Sequence, residues 1–204
     1  MRRILWDVDT QVDFVHADGK LAVADAPAAV PAMTRLVAAA RAAGVPHVAS
    51  ADDHELTDAE ISEAPDYAQT YPPHCLRGTR GAEKIAETRQ DDPVPLALTE
   101  VPEHWLRGRE FLLLKKHFDV FTNPNAERVL GLLEPEEVIV FGVATDVCNA
   151  AAIRGLLERG RAVTFVEEAS RGLDDARTSA CLAEWRAGGV YFATVDEVAA
   201  GLRA

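Results

Sequence analysis

The 204-residue sequence predicts an α/β protein, a three-layer α/β/α sandwich built on a mostly parallel sheet of roughly six strands. Two observations carry this. Short β-rich apolar runs alternate along the chain with Ala- and Leu-rich segments of helical period. Several of the runs, notably VIVFG and FLLL, are apolar at consecutive positions, as strands covered on both faces must be. Such alternation implies right-handed crossovers between parallel neighbours.

Taken in order, Arg3–Val8 (RILWDV) reads as the first strand. Ala28–Ala43 reads as a helix, because Val30, Met33, Leu36, Val37 and Ala40 fall on one face. Gly44 stops it and Pro46 follows, the usual punctuation of a helix end. Further strands are expected at His47–Ala51, Glu110–Leu114, Glu137–Phe141, Ala162–Val166 and Val190–Ala193. Helices fit at Asn125–Leu133, Asp146–Arg159, Asp174–Ala187 and Val195–Leu202. No repeat, low-complexity tract or linker interrupts the pattern, so residues 1–204 read as one domain. The region 52–102 stands apart. It is long, polar and rich in Pro, Asp and Glu, and reads as an elaborated loop with one short helix near Gly81–Thr88.

A compact domain of this length buries roughly 70% of its chain's surface, so it needs no disulfide or metal merely to fold. The formal charge of −12 argues against nucleic acid or an anionic membrane as partner, since both demand clustered Lys and Arg. Cys75, Cys148 and Cys181 are odd in number and lack a CxxC spacing, a poor disulfide framework. The opening MRRILWDVDTQVDF carries charges where a signal peptide needs an apolar stretch. No apolar run approaches the ~20 residues that span a bilayer. These features lead us to expect a cytoplasmic protein.

Ligands of open α/β sheets bind beyond the carboxyl ends of the strands. The residues there are Asp9, the group Asp52-Asp53-His54, Lys115-Lys116 and Ala144–Cys148. No strand is followed by GxGxxG or GxxxxGK[ST], which removes the nucleotide fingerprints. Cys148 falls in the first turn of a predicted helix, where unpaired N–H groups favour a thiolate and can hold an oxyanion. On position alone it is equally a small buried hydrophobe. Asp9 can exchange a proton with a nearby thiol, although by itself it reads better as a turn residue. A lysine beside the two would favour both ionised forms, and either Lys115 or Lys116 is placed for it. Asp52-x-His54 and His74 offer donors suited to a divalent transition metal if they converge, while Asp52 as a cap and His54 in a loop is an equally good reading.

Three ordered segments together resemble the isochorismatase-like cysteine hydrolases, and among them most closely the nicotinamidases. Asp9-Thr10-Gln11-Val12-Asp13-Phe14 matches the motif D-x-Q-x-D-F that follows their first strand. Gly142-Val143-Ala144-Thr145-Asp146-Val147-Cys148 matches G-x-A-T-[DE]-x-C in full. Lys115 precedes Phe121 by six residues, with Phe118 in the aromatic slot of K-x-x-Y-S-A-F. The resemblance implies an isochorismatase-like hydrolase fold with Cys148 as nucleophile, Asp9 as acid–base and Lys115 as the charge-stabilising residue. It implies an oxyanion hole from the backbone of Ala144 and Cys148, a cis Val143–Ala144 peptide, and a substrate pocket involving Phe14, Tyr71, Phe118 and Asp119. Tyr71-Pro72-Pro73-His74-Cys75 matches W-P-x-H-C, so Asp52, His54 and His74 are implied metal ligands, with Zn²⁺ first and Fe²⁺ or Mn²⁺ as alternatives. The implied activity is hydrolysis of a small amide, nicotinamide above all, by a homodimer or homotetramer.

The chain also departs from that pattern. Asp53 replaces the Trp between the two metal ligands, and Tyr71 replaces a Trp. The acidic run Glu55–Asp66 replaces H-x-S-F and offers Glu63 or Asp66 as a further ligand. Asp119 stands where a small Ser is usual. These changes leave two alternatives in view: a cysteine amidase for another small amide or N-carbamoyl compound, and a non-catalytic metal-binding or scaffold domain.

Overall fold

The computed structural model describes residues 1–203. Strand β1 (Arg3–Val8) leads through a single helical turn, α1 (Val12–Val15), to α2 (Ala26–Ala42) and β2 (His47–Asp52). A long excursion runs to β3 (Val94–Leu96) and β4 (Glu110–Lys115). Then come α3 (Asn125–Leu133), β5 (Glu137–Val143), α4 (Ala150–Glu158), β6 (Ala162–Arg171), α5 (Asp175–Ala187), β7 (Tyr191–Phe192) and α6 (Val195–Arg203). The strands form one seven-stranded sheet in the order β3-β4-β2-β1-β5-β6-β7, and all neighbours are parallel.

Side-chain parity along the strands builds the three layers. Ile4, Trp6 and Val8 pack with Val138, Val140, Phe111 and Leu113 against the buried stripes of α3 and α4. Leu5, Ile139, Phe141 and Val143 face the other way, against Ala29, Met33, Leu36, Val37 and Ala40 of α2 and Val195 and Val198 of α6. Burying such side chains contributes roughly 1.5–3 kcal/mol each, which is why the fold stands without a cross-link; all three cysteines are free. No helix among the described residues is long and apolar enough to cross a membrane.

Two expectations for the excursion are corrected. It contributes a seventh strand, Val94–Leu96, which pairs with Phe111–Leu113. Its three residues and Pro95 hide it in the sequence, and Pro is tolerated there because the strand lies at the sheet edge. The short helix near Gly81–Thr88 does not form. Only a 3₁₀ turn, Arg80–Ala82, is present. The backbone beyond it is taken up by the exit from β1: Val12 N–H donates to the Glu83 carbonyl and Ile85 N–H to the Thr10 carbonyl.

The chain winds from β1 outward to β2 and β4, then returns to place β5 on the other flank of β1. The order reverses between β1 and β5, and crevices open at such points beyond the carboxyl ends. Four adjacent strands, β4, β2, β1 and β5, therefore deliver their C-terminal residues to one rim. Gly142 makes the closest approach possible. It pairs with Val8 at φ +125°, and a Cβ there would drive into the Val8 carbonyl oxygen. Gly142→Ala is expected to lower unfolding stability by about 3 kcal/mol in a urea titration; a change under ~0.5 kcal/mol, the range of an ordinary surface substitution, contradicts this packing.

Candidate active site

At that rim a single ammonium group collects three side chains. Lys115 ends β4, is wholly buried, and places Nζ 2.9 Å from Asp9 Oδ2, 2.5 Å from Asp52 Oδ1 and 3.7 Å from Cys148 Sγ. Asp52 and Lys115 are register partners on adjacent strands, so their meeting follows from sheet pairing. Lys116, the alternative, points away and donates to Asp58 at 2.7 Å.

Asp9 sits one residue past β1 with φ +49°, a left-handed backbone that non-glycine residues rarely adopt. Its Oδ1 accepts from Ser50 Oγ at 2.7 Å, which leaves Oδ2 to face Lys115. Gln11 pins the neighbouring strand end: Nε2 donates to the Asp52 carbonyl at 2.8 Å and Oε1 accepts from Asp52 N–H at 2.7 Å. Asp13 holds the far loop, accepting from Cys75 N–H at 2.7 Å. The D-x-Q-x-D-F segment thus fixes three separate parts of the site.

Cys148 lies not in a regular α-helical turn but in a π-type turn, Thr145–Asn149, that precedes α4. Such turns recur at functional sites because they re-aim side chains within a helix. The Val143–Ala144 peptide before it is cis. Asp146 anchors the turn, accepting from Leu173 N–H at 2.7 Å and Arg177 Nε at 3.0 Å.

The charges are strongly interdependent. Burial pulls the Lys115 ammonium toward neutrality, but the Asp52 and Asp9 carboxylates reverse this and hold it well above the usual lysine range. Burial pushes Asp9 above the ordinary carboxylate value, with Asp52 adding to it and Lys115 opposing. Burial also pushes the Cys148 thiol well up, reinforced by Asp9 and Asp52. The lysine is present and opposes this, but burial and the two carboxylates outweigh it, so the thiol holds its proton more tightly than a free cysteine does.

Beside this group Asp52, His54, Glu60 and His74 bring one donor atom each to within 4.8 Å of one another, all buried. His74 Nδ1–H donates to the Pro72 carbonyl at 2.7 Å, which turns Nε2 toward Asp52 Oδ2 at 3.5 Å. His54 Nε2 stands 3.8 Å from both Asp52 Oδ1 and Glu60 Oε1. Asp52 Oδ2 and both His54 nitrogens are buried without a hydrogen-bond partner. One orphaned imidazole and one orphaned carboxylate oxygen, in a cluster of two imidazoles and two carboxylates, fit a divalent transition metal.

Glu60 was missed in the sequence, and Glu63 and Asp66 are not the extra ligand. Glu63 is exposed, and Asp66 is occupied by the N–H groups of Ala68, Gln69 and Thr70. No spacing rule singles out Glu60 within an acidic run; the folding of the loop does, with Phe118 N–H donating to its Oε2 at 2.7 Å. Ser50 was missed for a similar reason, since nothing marks one hydroxyl inside an apolar strand.

A narrow cleft, with about 10 Å³ of water-accessible volume, opens onto Cys148 and the His74 side of the cluster. Phe14, Leu21, Tyr71, Val147 and Leu173 form its apolar wall, and Ala144, Cys148, Asp52, Glu60 and His74 its polar end. Phe14 and Tyr71 are thus where the sequence placed them. Phe118 and Asp119 do not line it: Phe118 stacks against His117, and Asp119 caps the turn Val120–Thr122 by accepting from Phe121 N–H at 2.9 Å.

Comparison with known proteins gives one family. The model of the isochorismatase domain matches residues 4–197. A nicotinamidase/pyrazinamidase of Mycobacterium tuberculosis is 29% identical over 192 residues, 92% of this chain and 96% of that one. Among solved structures, a pyrazinamidase of Pyrococcus horikoshii in complex with zinc superposes with TM-score 0.76 at 21% identity, over 95% of this chain and 99% of that one. An N-carbamoylsarcosine amidase from Thermoplasma acidophilum superposes with TM-score 0.74 at 22% identity, over 96% and 98%.

Burial pushes Glu60 up to about 7, with Asp52 adding to it. A carboxyl must be ionised to ligate, so affinity for Zn²⁺ is expected to fall as pH drops through about 7. Glu60→Gln is expected to weaken binding at least ~10-fold and to flatten that dependence in equilibrium dialysis. Equal affinity in the two proteins across pH removes Glu60 from the ligand set.

Proposed function

Because the chain belongs to the isochorismatase family, we propose that it is a cysteine-dependent amidohydrolase, with nicotinamide as the leading substrate and nicotinate and ammonia as products. The observation that carries this reading is the contact of one buried ammonium with both Asp9 and Cys148, behind a mostly apolar cleft that reaches the sulfur.

Asp9 takes the Cys148 proton as sulfur attacks the amide carbonyl carbon. A protonated resting thiol suits this order, because the proton leaves only when the nucleophile is used. The carbonyl oxygen becomes an oxyanion, received by backbone N–H groups of Ala144 and Cys148. Asp9 then protonates the departing nitrogen, the C–N bond breaks, and a thioester on Cys148 remains. Asp9 next accepts a proton from water, whose oxygen attacks the thioester; the C–S bond breaks, the carboxylic acid leaves, and Asp9 returns its proton to the departing sulfur, restoring the Cys148 thiol. Lys115 keeps its charge throughout and offsets the negative charge that moves between Asp9 and sulfur.

Asp52, His54, Glu60 and His74 are the residues that would hold a divalent metal, Zn²⁺ foremost and Fe²⁺ or Mn²⁺ as alternatives; bound there, the metal supplies a Lewis acid that can anchor a neutral donor atom of the substrate. The cleft lining contains no Lys or Arg. That favours an uncharged amide over an anionic one, because the nearby Lys115 ammonium is already matched by Asp9 and Asp52.

A second reading keeps the chemistry and changes the substrate to another small amide or N-carbamoyl compound. The replacement of a Trp by Asp53 and of the segment after His54 by an acidic run favours it. Ammonia release from nicotinamide and from a panel of small amides separates the two. Turnover is expected on at least one of them, and Cys148→Ala is expected to lower it on the order of 10³-fold or more. Undiminished activity in that variant sinks both readings, and activity confined to other amides selects the second.

A further inference from the structure

A second buried charge cluster lies directly beneath Asp9. Asp7 and Lys84 are both buried, and Lys84 Nζ stands 2.9 Å from Asp7 Oδ1. Thr10 Oγ1 donates to the Asp7 carboxylate at 2.8 Å, and Thr88 donates in turn to Thr10 at 2.6 Å. Lys84 Nζ also donates to the Ser50 carbonyl at 3.3 Å. That same carbonyl accepts from Asp9 N–H at 3.3 Å, and the Ser50 hydroxyl holds the Asp9 carboxylate. Asp7 and Thr10 thus flank the left-handed residue in the chain, and Lys84 reaches it through Ser50.

The position of this pair calls for a reason. A buried ion pair adds little net stability, because desolvation offsets the attraction. A non-glycine residue at φ +49° persists only where its surroundings over-determine it. Asp9 itself is held by Ser50, by Lys115 and by Gln11 N–H on its carbonyl at 2.6 Å; behind these stand that pair, the two threonine hydroxyls, and His47, whose Nε2 lies 3.7 Å from Asp7 Oδ2.

We infer that Asp7, Thr10 and Lys84 form a clamp of positioning residues that locks the backbone of Asp9 left-handed and so aims its carboxylate at Lys115 and Cys148. The clamp touches no substrate; it acts through Asp9 and Ser50. The inference rests on Asp9 being the acid–base of the amidohydrolase reading.

The test compares Thr10→Val, Thr10→Ser and Asp9→Asn on whichever amide the enzyme turns over. Thr10→Val keeps the shape and removes the hydroxyl. It is expected to lower kcat at least ~10-fold with KM within about 2-fold, and Thr10→Ser, which restores the donor, to recover most of the rate. The charge pair is tested with the double variant Asp7→Asn/Lys84→Gln, which avoids stranding one buried charge; it is expected to show the same loss of kcat with Zn²⁺ affinity unchanged. Wild-type kcat in Thr10→Val and in the double variant, or equal losses in Thr10→Val and Thr10→Ser, overturns the clamp. If the double variant does not fold, the two Thr10 variants decide. Should Asp9→Asn keep full activity, the acid–base reading fails first, and the result is distinct from failure of the clamp alone.

Discussion

The site is organised by the cost of burying one positive charge. An ammonium with no exposure to water is stable only if opposite charge and hydrogen-bond acceptors are gathered around it. Lys115 meets that condition by standing between Asp9 and Asp52, with the Cys148 sulfur on a third side. Each of these groups comes from a different strand end, and the four strands are neighbours in the sheet. The ammonium therefore links Cys148, Asp9 and the Asp52–His54–Glu60–His74 cluster into a single electrostatic unit.

Asp52 is the shared member. One oxygen faces Lys115 and the other faces His74. Burial raises its proton affinity, but Lys115 and His74 more than compensate and keep the carboxylate ionised below the usual range. A change at the His54–Glu60–His74 side is thus felt at Lys115 through a single side chain, and through Lys115 at the thiol. The Gln11 side chain, bonded to the Asp52 backbone on both its donor and acceptor sides, keeps that bridge in register with β1.

The burial that raises the Cys148 thiol suits the proposed order of steps, in which the proton leaves only as sulfur attacks. Charge is costly in the cleft until a substrate arrives to receive it, and Asp9 and Cys148 share one ammonium, Lys115 Nζ, at 2.9 and 3.7 Å.

Much of this was legible in the chain. The period of apolar residues determined the alternation of strands and helices, because burial on two faces leaves a strong local signature, and β1 and α3 begin and end where that signature does. Ordered motifs pointed to Asp9, Lys115, Cys148, Asp52, His54 and His74, since residue type at a strand's end already constrains the chemistry. Three-residue β3 was not legible, because its pairing partner lies elsewhere in the sequence. Nor were the turn of Lys116 toward Asp58, the approach of Glu60 to the two histidines, the capping role of Asp119 or the raised thiol. Those depend on which groups are brought within a few ångströms through space and on how much water is excluded between them, quantities that exist only once the sheet has closed over the site.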